Sequence, residues 1–263
     1  MIVETCTVLK NKQRAENIWQ MELSAPGIAA QYKGAGQFIN ILANRDWSHP
    51  LRRPMSIAAV KGSTVTIIYR VFGAVTKILA TKIKQDIIDV LGPLGNTFSG
   101  WESADPPVLV GGGVGLAPIL NLYHECLAKS VKPVLIIGAK TAAEHFLKHD
   151  PGNQVFLTTD DGTLGNPGTV IPTMNEIADS LTAPVIYTCG PVPMMKAVQE
   201  FANRKGIPAQ LAVESYMGCG IGLCQGCVIK RKKSTRNRHS YQEQYSLVCK
   251  EGPIYSANEV IID

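Results

Sequence analysis

No long uninterrupted hydrophobic run occurs in this chain of 263 residues. Its most apolar stretch, Pro106 to Tyr123, is broken by four glycines and three prolines, whereas a membrane-spanning helix needs about 20 consecutive apolar residues. The start, Met1-Ile2-Val3-Glu4-Thr5-Cys6-Thr7, lacks a basic segment leading into an apolar one, so neither secretion nor membrane insertion is expected. Aromatic residues are scarce, at 6%. None stands among Lys230, Arg231, Lys232, Lys233, Arg236 and Arg238, the run that carries the positive charge; the rest of the chain is nearly balanced. Nucleic-acid binding is therefore not expected, and the run reads as a solvated excursion rather than a phosphate or partner patch. A disulfide framework is lacking too: once four of the seven cysteines are assigned below, Cys6, Cys126 and Cys189 are an odd, scattered remainder. A reducing, cytoplasmic setting is expected.

With 45% hydrophobic residues, the chain can build substantial cores and is long enough for two domains or one with an appendage. Its first hundred residues alternate short apolar runs with Gly, Pro and Asn. Strands are expected at Ile2–Leu9, Ile18–Leu23, Gln37–Leu42, Met55–Val60, Thr64–Tyr69 and Ile87–Leu91, with a helix at Ala74–Ile83, in an antiparallel β-barrel. The pattern then changes to strands at Val108–Val110, Val134–Ile137, Val155–Thr158 and Val185–Tyr187, interleaved with helices at Leu116–Ala128 and Met194–Arg204. That alternation predicts a doubly wound parallel sheet, an α/β nucleotide domain. The expected division is 1–100, 101–210 and 211–263, the last a small cysteine-bearing domain.

Cys219, Cys224, Cys227 and Cys249 follow the order Cys-x4-Cys-x2-Cys…Cys, the plant-type spacing for a [2Fe–2S] cluster. Gly218, Gly220, Gly222 and Gly226 let the loop bend around the sulfurs and aim amides at them. A structural zinc site more often shows two short-spaced pairs, so the pattern favours the cluster.

Val108-Leu109-Val110 runs into Gly111, Gly112, Gly113 and Gly115 and then a helix, the order that seats a pyrophosphate against free helix amides. It is not a strict Gly-x-Gly-x-x-Gly. Cys189 and Gly190 end a later strand, where Cys189 either flanks a nicotinamide or packs as a small apolar residue. Asp160-Asp161-Gly162 allows ribose contact or ordinary turn chemistry, and Lys140 stands where an adenine ribose commonly lies. Arg52, Arg53, Pro54, Met55 and Ser56 offer guanidinium and hydroxyl groups for a flavin diphosphate. Arg70, Val71, Phe72 and Thr76 offer a second such surface or a plain strand end and cap. A flavin is expected on electronic grounds: a nicotinamide exchanges a hydride, a [2Fe–2S] cluster one electron, and a carrier between them must split the pair.

Together, Arg53-Pro54-Met55-Ser56, Gly92-Pro93-Leu94-Gly95, Gly111 to Gly115, Cys189-Gly190-Pro191, the cysteine loop and Val248-Cys249-Lys250-Glu251-Gly252-Pro253 resemble the electron-transfer subunit of NAD-dependent, class 1B dihydroorotate dehydrogenase. The resemblance implies FAD on the barrel, NAD on the α/β sheet and the cluster facing an FMN-bearing catalytic subunit, in a heterotetramer of two plus two serving pyrimidine biosynthesis. It places FAD contacts at Arg53, Pro54, Met55 and Ser56, at Arg70, Val71 and Phe72, and at Val75 and Thr76. At Val75 the family usually shows glycine. The excursion between Cys227 and Cys249 is long for the family. Rival readings are a related FAD/[2Fe–2S] NAD(P)H reductase subunit serving ferredoxin, hydrogenase or polysulfide, and a zinc-stabilised interaction module.

Overall fold

The structure, a computed structural model, describes residues 1–44, 48–232 and 244–262. Lys233, Arg236 and Arg238 of the basic run lie outside the described residues. The N-terminal part is a closed antiparallel barrel of six strands: β1 (Ile2–Ala15), β2 (Ile18–Ser24), β3 (Phe38–Leu42), β4 (Arg53–Lys61), β5 (Thr64–Arg70) and β6 (Ile87–Leu94), in the order β1-β2-β5-β4-β3-β6. Alternation selects its interior: Cys6 and Val8, Met21 and Leu23, Ile39 and Ile41, Val65 and Ile67 all point into one core. Helix α1 (Pro26–Gln31) closes one side through Ile28, and α2 (Ala74–Ala80) inserts Val75 and Leu79, one turn apart, into the barrel. Burying each of those two side chains contributes about 1.5–3 kcal/mol.

The second layer is a seven-stranded sheet in the order β10-β9-β8-β7-β11-β12-β15. Its strands are β7 (Pro107–Gly112), β8 (Val134–Ala139), β9 (Val155–Thr159), β10 (Asn166–Pro167), β11 (Val185–Cys189), β12 (Ala209–Ala212) and β15 (Ile254–Ser256). The strands before β15 are parallel. Odd and even positions of β7 serve different faces: Val108 and Val110 join the core under α4 (Val170–Ala178) and α5 (Val192–Lys205), Leu109 the core under α3 (Leu116–Ala128). A strand buried on both faces reads as a continuous apolar run, as Pro107 to Val110 does. Strand order reverses between β7 and β11, which places the ligand crevice beyond their carboxyl ends.

Beyond β12 the chain forms the cysteine loop, then a hairpin of β13 (Val228–Lys230) and β14 (Tyr245–Leu247), a short helix α6 (Val248–Glu251), and β15. β15 pairs antiparallel with β12, Ala212 opposite Ile254 and Gln210 opposite Ser256. The expected division at 210/211 thus falls inside β12.

Side chains lock these parts together. Asn121 of α3 donates to the Ile57 carbonyl of the barrel (3.0 Å) and to the Tyr32 hydroxyl (2.7 Å), which in turn donates to Glu125 (2.7 Å). After β6, Asn96 donates to the carbonyls of Glu251 (3.0 Å) and Ile254 (2.9 Å) and accepts from the Ile254 amide (2.8 Å). A Cβ on Gly95 would meet Pro253 at 2.5 Å. Among the described residues, no helix is long and apolar enough to cross a membrane.

Candidate functional site

The expected nucleotide residues converge at the switch point. Cys189 lies opposite Gly111 in register. A Cβ on Gly115 would fall 2.3 Å from the Cys189 carbonyl carbon and oxygen and 2.4 Å from the Gly190 nitrogen, so Gly115 exists to let α3 begin against β11. Gly112 and Gly190 each pack on Met194, and Gly113 takes φ +56° at the turn. The Leu116 amide, first of α3, donates to the carbonyls of Gly113 and Val114. Cys189 is 1% exposed, and burial, with Glu214 adding to it, lifts its thiol well above the ordinary range. It stands at the crevice as a small neutral group. Glu214 carried no sequence signal; the residue is exposed, yet the protein packed around its carboxyl desolvates it and raises it above the usual carboxylate range.

Two further candidates follow strands β9 and β8. Asp161 accepts from the Thr163 amide (3.0 Å) and hydroxyl (2.6 Å), closing a turn in which Gly162 has φ +72°. That is turn chemistry. Lys140 follows β8 with an exposed side chain, while its amide donates to Glu144 (3.2 Å).

On the barrel, the two adjacent arginines differ. Pro54 has no N–H to give its register partner Asn40, and Arg52 Nη1 donates to the Asn40 carbonyl instead (3.4 Å) while Nη2 pairs with Asp89 (2.5 Å). Arg53 donates only to the carbonyls of Leu51 (2.9 Å) and Arg52 (3.3 Å), so its charge has no acidic partner among the described residues. Arg70 pairs with Glu144 (2.6 Å), and the amide of its neighbour Val71 is taken by the Asn17 carbonyl (2.8 Å). The Thr76 hydroxyl accepts from the amides of Phe72 and Gly73 (both 3.1 Å) and donates to the Gly73 carbonyl (3.0 Å), fixing the turn that exposes Phe72. Val75, where the family usually has glycine, lies inside α2 and outside the residues with positive φ, so no glycine is needed to present its amide.

The four cysteines meet as two pairs. Cys219 and Cys224 form the outer one: the Cys219 sulfur accepts from the amides of Cys224 (3.3 Å) and Ile221 (3.4 Å). Burial opposes ionisation there, yet those amides, the Cys224 side chain and the Leu223 amide pull the thiol down to about 6. Cys227 and Cys249 form the inner pair, 1% and 3% exposed, linked by the Cys249 amide to the Cys227 sulfur (3.4 Å). Burial and the neighbouring Cys227 push the Cys249 thiol up to about 12. No three His, Cys, Asp or Glu among the described residues surround a single-ion point. Two thiol pairs with amides aimed at sulfur fit a binuclear cluster, in which each iron takes two cysteines. The inner pair packs with Phe38 and Leu94 of the barrel.

Of the basic run, Arg231 bridges Glu259 (2.6 Å) and Glu251 (3.0 Å), and Lys232 donates to the Ala257 carbonyl (2.8 Å). These residues brace the hairpin.

A six-stranded barrel beside a parallel nucleotide sheet, with a two-paired cysteine loop stitched to both, defines a ferredoxin reductase-like fold. Residues 109–200 match the oxidoreductase NAD-binding domain, and residues 214–261 the iron-sulfur cluster binding domain of dihydroorotate dehydrogenase B. The dihydroorotate dehydrogenase B (NAD(+)) electron transfer subunit of Fusobacterium nucleatum is 34% identical over 100% of both chains, and that of Geobacillus kaustophilus 36% identical over 98% of both. The chain belongs to this family of dihydroorotate dehydrogenase B electron transfer subunits. Among solved structures, the NADH-dependent reduced ferredoxin-NADP oxidoreductase superposes with a TM-score of 0.82 at 24% identity, covering 99% of this chain and 91% of its own. The ferredoxin NADP+ reductase of Neisseria gonorrhoeae gives 0.64 at 18% identity, over 78% and 92%. These two likenesses bear on fold alone.

Proposed function

We propose that this chain is the electron-transfer subunit of an NAD-dependent dihydroorotate dehydrogenase, an oxidoreductase component that carries electrons from the FMN of a catalytic subunit to NAD+ in pyrimidine biosynthesis. Bound FAD supplies the exchange between one-electron and hydride chemistry, and the [2Fe–2S] cluster supplies the one-electron path. The observation that carries this reading is the arrangement of the cysteine pairs, one open to the surface and one buried against the barrel strand β3 that neighbours the Arg53–Ser56 segment.

The residues divide the work. Arg53 offers a guanidinium with no acidic partner among the described residues for the flavin diphosphate, and Pro54, Met55 and Ser56 present the adjoining strand edge. Val71 and Phe72 border the same groove, Thr76 fixes the turn between them, and the Val75 amide opens α2 towards it. Gly111, Gly112, Gly113 and Gly115, with Cys189 and Gly190, shape a crevice for NAD and keep bulk from its floor. Cys219, Cys224, Cys227 and Cys249 hold the cluster. Around the outer pair, Leu223 is 78% and Tyr216 97% exposed, an apolar surface suited to the catalytic partner in a two-plus-two heterotetramer. Surface thiolates such as these suit a reducing cytoplasm.

Co-purification with an FMN-bearing dihydroorotate oxidase and assay of orotate formation with NAD+ tests the reading. Flavin and iron–sulfur absorbance in the chain, with NAD+-dependent orotate production only when both subunits are present, is the expected result. The same absorbance with reduction of ferredoxin or polysulfide and no orotate would assign the chain to another acceptor.

A further inference from the structure

Asn40 is the one fully buried side chain in the barrel wall whose amide nitrogen and oxygen both lack a hydrogen-bond partner among the described residues. It lies on β3 between Pro54 of β4 and Leu91 of β6, so it touches the strand offered to the flavin. Its neighbours Ile39 and Ile41 point into the barrel, which turns Asn40 outward. There it meets the cysteine loop: a Cβ on Gly220 would fall 2.2 Å from Asn40 Nδ2. Gly220 follows the ligand Cys219 directly, takes φ +73° and also rests on Leu94. A buried amide without partners is unfavourable, and an isosteric leucine would fill the same space without that cost. The side chain is nevertheless placed where Gly220 of the cysteine loop packs on the barrel.

We propose that Asn40 is a positioning residue for the cluster: in the cluster-loaded protein its side-chain amide hydrogen-bonds the backbone of the loop at Cys219-Gly220 and so fixes the outer sulfur pair relative to the flavin strand. The proposal rests on the cluster-binding reading above. Glycine at 220 is then required twice, for the left-handed backbone and for the room that the amide occupies.

The test uses the full chain purified with its cofactors. Wild-type protein first has to show flavin and [2Fe–2S] absorbance; its absence would defeat the functional reading and leave Asn40 out of account. In Asn40→Leu, release of iron to a chelator is expected to quicken roughly fivefold to tenfold, the factor carried by one lost hydrogen bond to a buried group. The electron paramagnetic resonance line shape of the reduced cluster should change as well, while flavin content stays at the wild-type level. A merely structural asparagine predicts the opposite: unchanged iron release and line shape with a higher melting temperature, a result that overturns the proposal. Should Asn40→Leu fail to fold, Asn40→Asp keeps the shape and removes the donor. Faster iron release there supports the proposal, and wild-type release overturns it.

Discussion

Replacing Gly115 by alanine probes the nucleotide crevice without touching a charged or titrating group. The backbone there has φ −61°, so alanine brings no conformational strain of its own. Its Cβ would stand 2.3–2.4 Å from three backbone atoms of Cys189 and Gly190, where ordinary contact is 3.4–4 Å. Relief requires α3 and the end of β11 to separate by about 1 Å, an overpacking defect of about 1–3 kcal/mol. For a chain of this size the melting temperature should drop by roughly 2–12 °C. Because the separation opens the crevice where NAD is proposed to lie, kcat/KM for NADH-driven ferricyanide reduction should fall by about 10- to 100-fold, the usual effect of such a misplacement. FAD and cluster absorbance should stay as in wild type. Gly152→Ala is the control, since its nearest neighbour would be Asp150 Oδ1 at 3.6 Å; it should change stability by less than about 0.5 kcal/mol. Wild-type melting and wild-type NADH kinetics in Gly115→Ala would refute the packing argument.

Single Cys→Ser changes at Cys219, Cys224, Cys227 or Cys249 should bleach the iron–sulfur absorbance and leave the flavin band, because the proposed FAD groove uses none of these sulfurs. Gln199 is buried and donates to the carbonyls of Ala257 (2.7 Å) and Val260 (2.9 Å); Gln199→Leu strands both acceptors and should cost about 2–4 kcal/mol in urea unfolding. Burial lowers the pKa of His124, with Lys61 adding to it, and burial outweighs the Thr158 carbonyl and Glu144 at His145. With folded values below the unfolded value of about 6.5, both contribute stability above that pH, lost as pH falls through the folded values. Replacing both by glutamine should flatten the decline in urea midpoint between about pH 6.5 and 5; an unchanged slope contradicts the assignment.

The barrel was legible wherever alternation was apolar, and less so elsewhere. The first strand continues past the expected Leu9 to Ala15 because the polar residues Lys10, Asn11, Lys12 and Gln13 stay in backbone register with β2, and Arg14, at a shift in that register, donates from its side chain to Gln20 (2.8 Å). The expected helix Ala74–Ile83 stops at Ala80, where Thr81 caps it. Helices α1 and α4 and strands β10, β12 and β15 were not anticipated. β15 has three residues, and its pairing with β12 depends on chain from the far side of the cysteine loop, a relation no local window contains. The cysteine motif was readable because spacing alone encodes it. Arg52 and Arg53 were indistinguishable in sequence, and only the Asp89 pairing separates them. Asn40 had no motif, since its character comes from what covers it.

The hairpin β13–β14 has a consequence for how such chains diverge. Cys227 and Cys249 sit at its base, joined by the Val248 amide to the Cys227 carbonyl (2.9 Å), and Val228 pairs with Leu247 just above them. At the far end, the Arg231 amide donates to the Gln244 carbonyl (2.8 Å). The ladder between these two closures holds the inner pair, Cys227 and Cys249, together before the chain reaches residue 233. Insertions and deletions beyond it can therefore accumulate freely, and a relative's loop length there says little about its redox centre. Chain length beyond residue 232 can differ from one lineage to the next while the pairing that joins Cys227 to Cys249 is inherited.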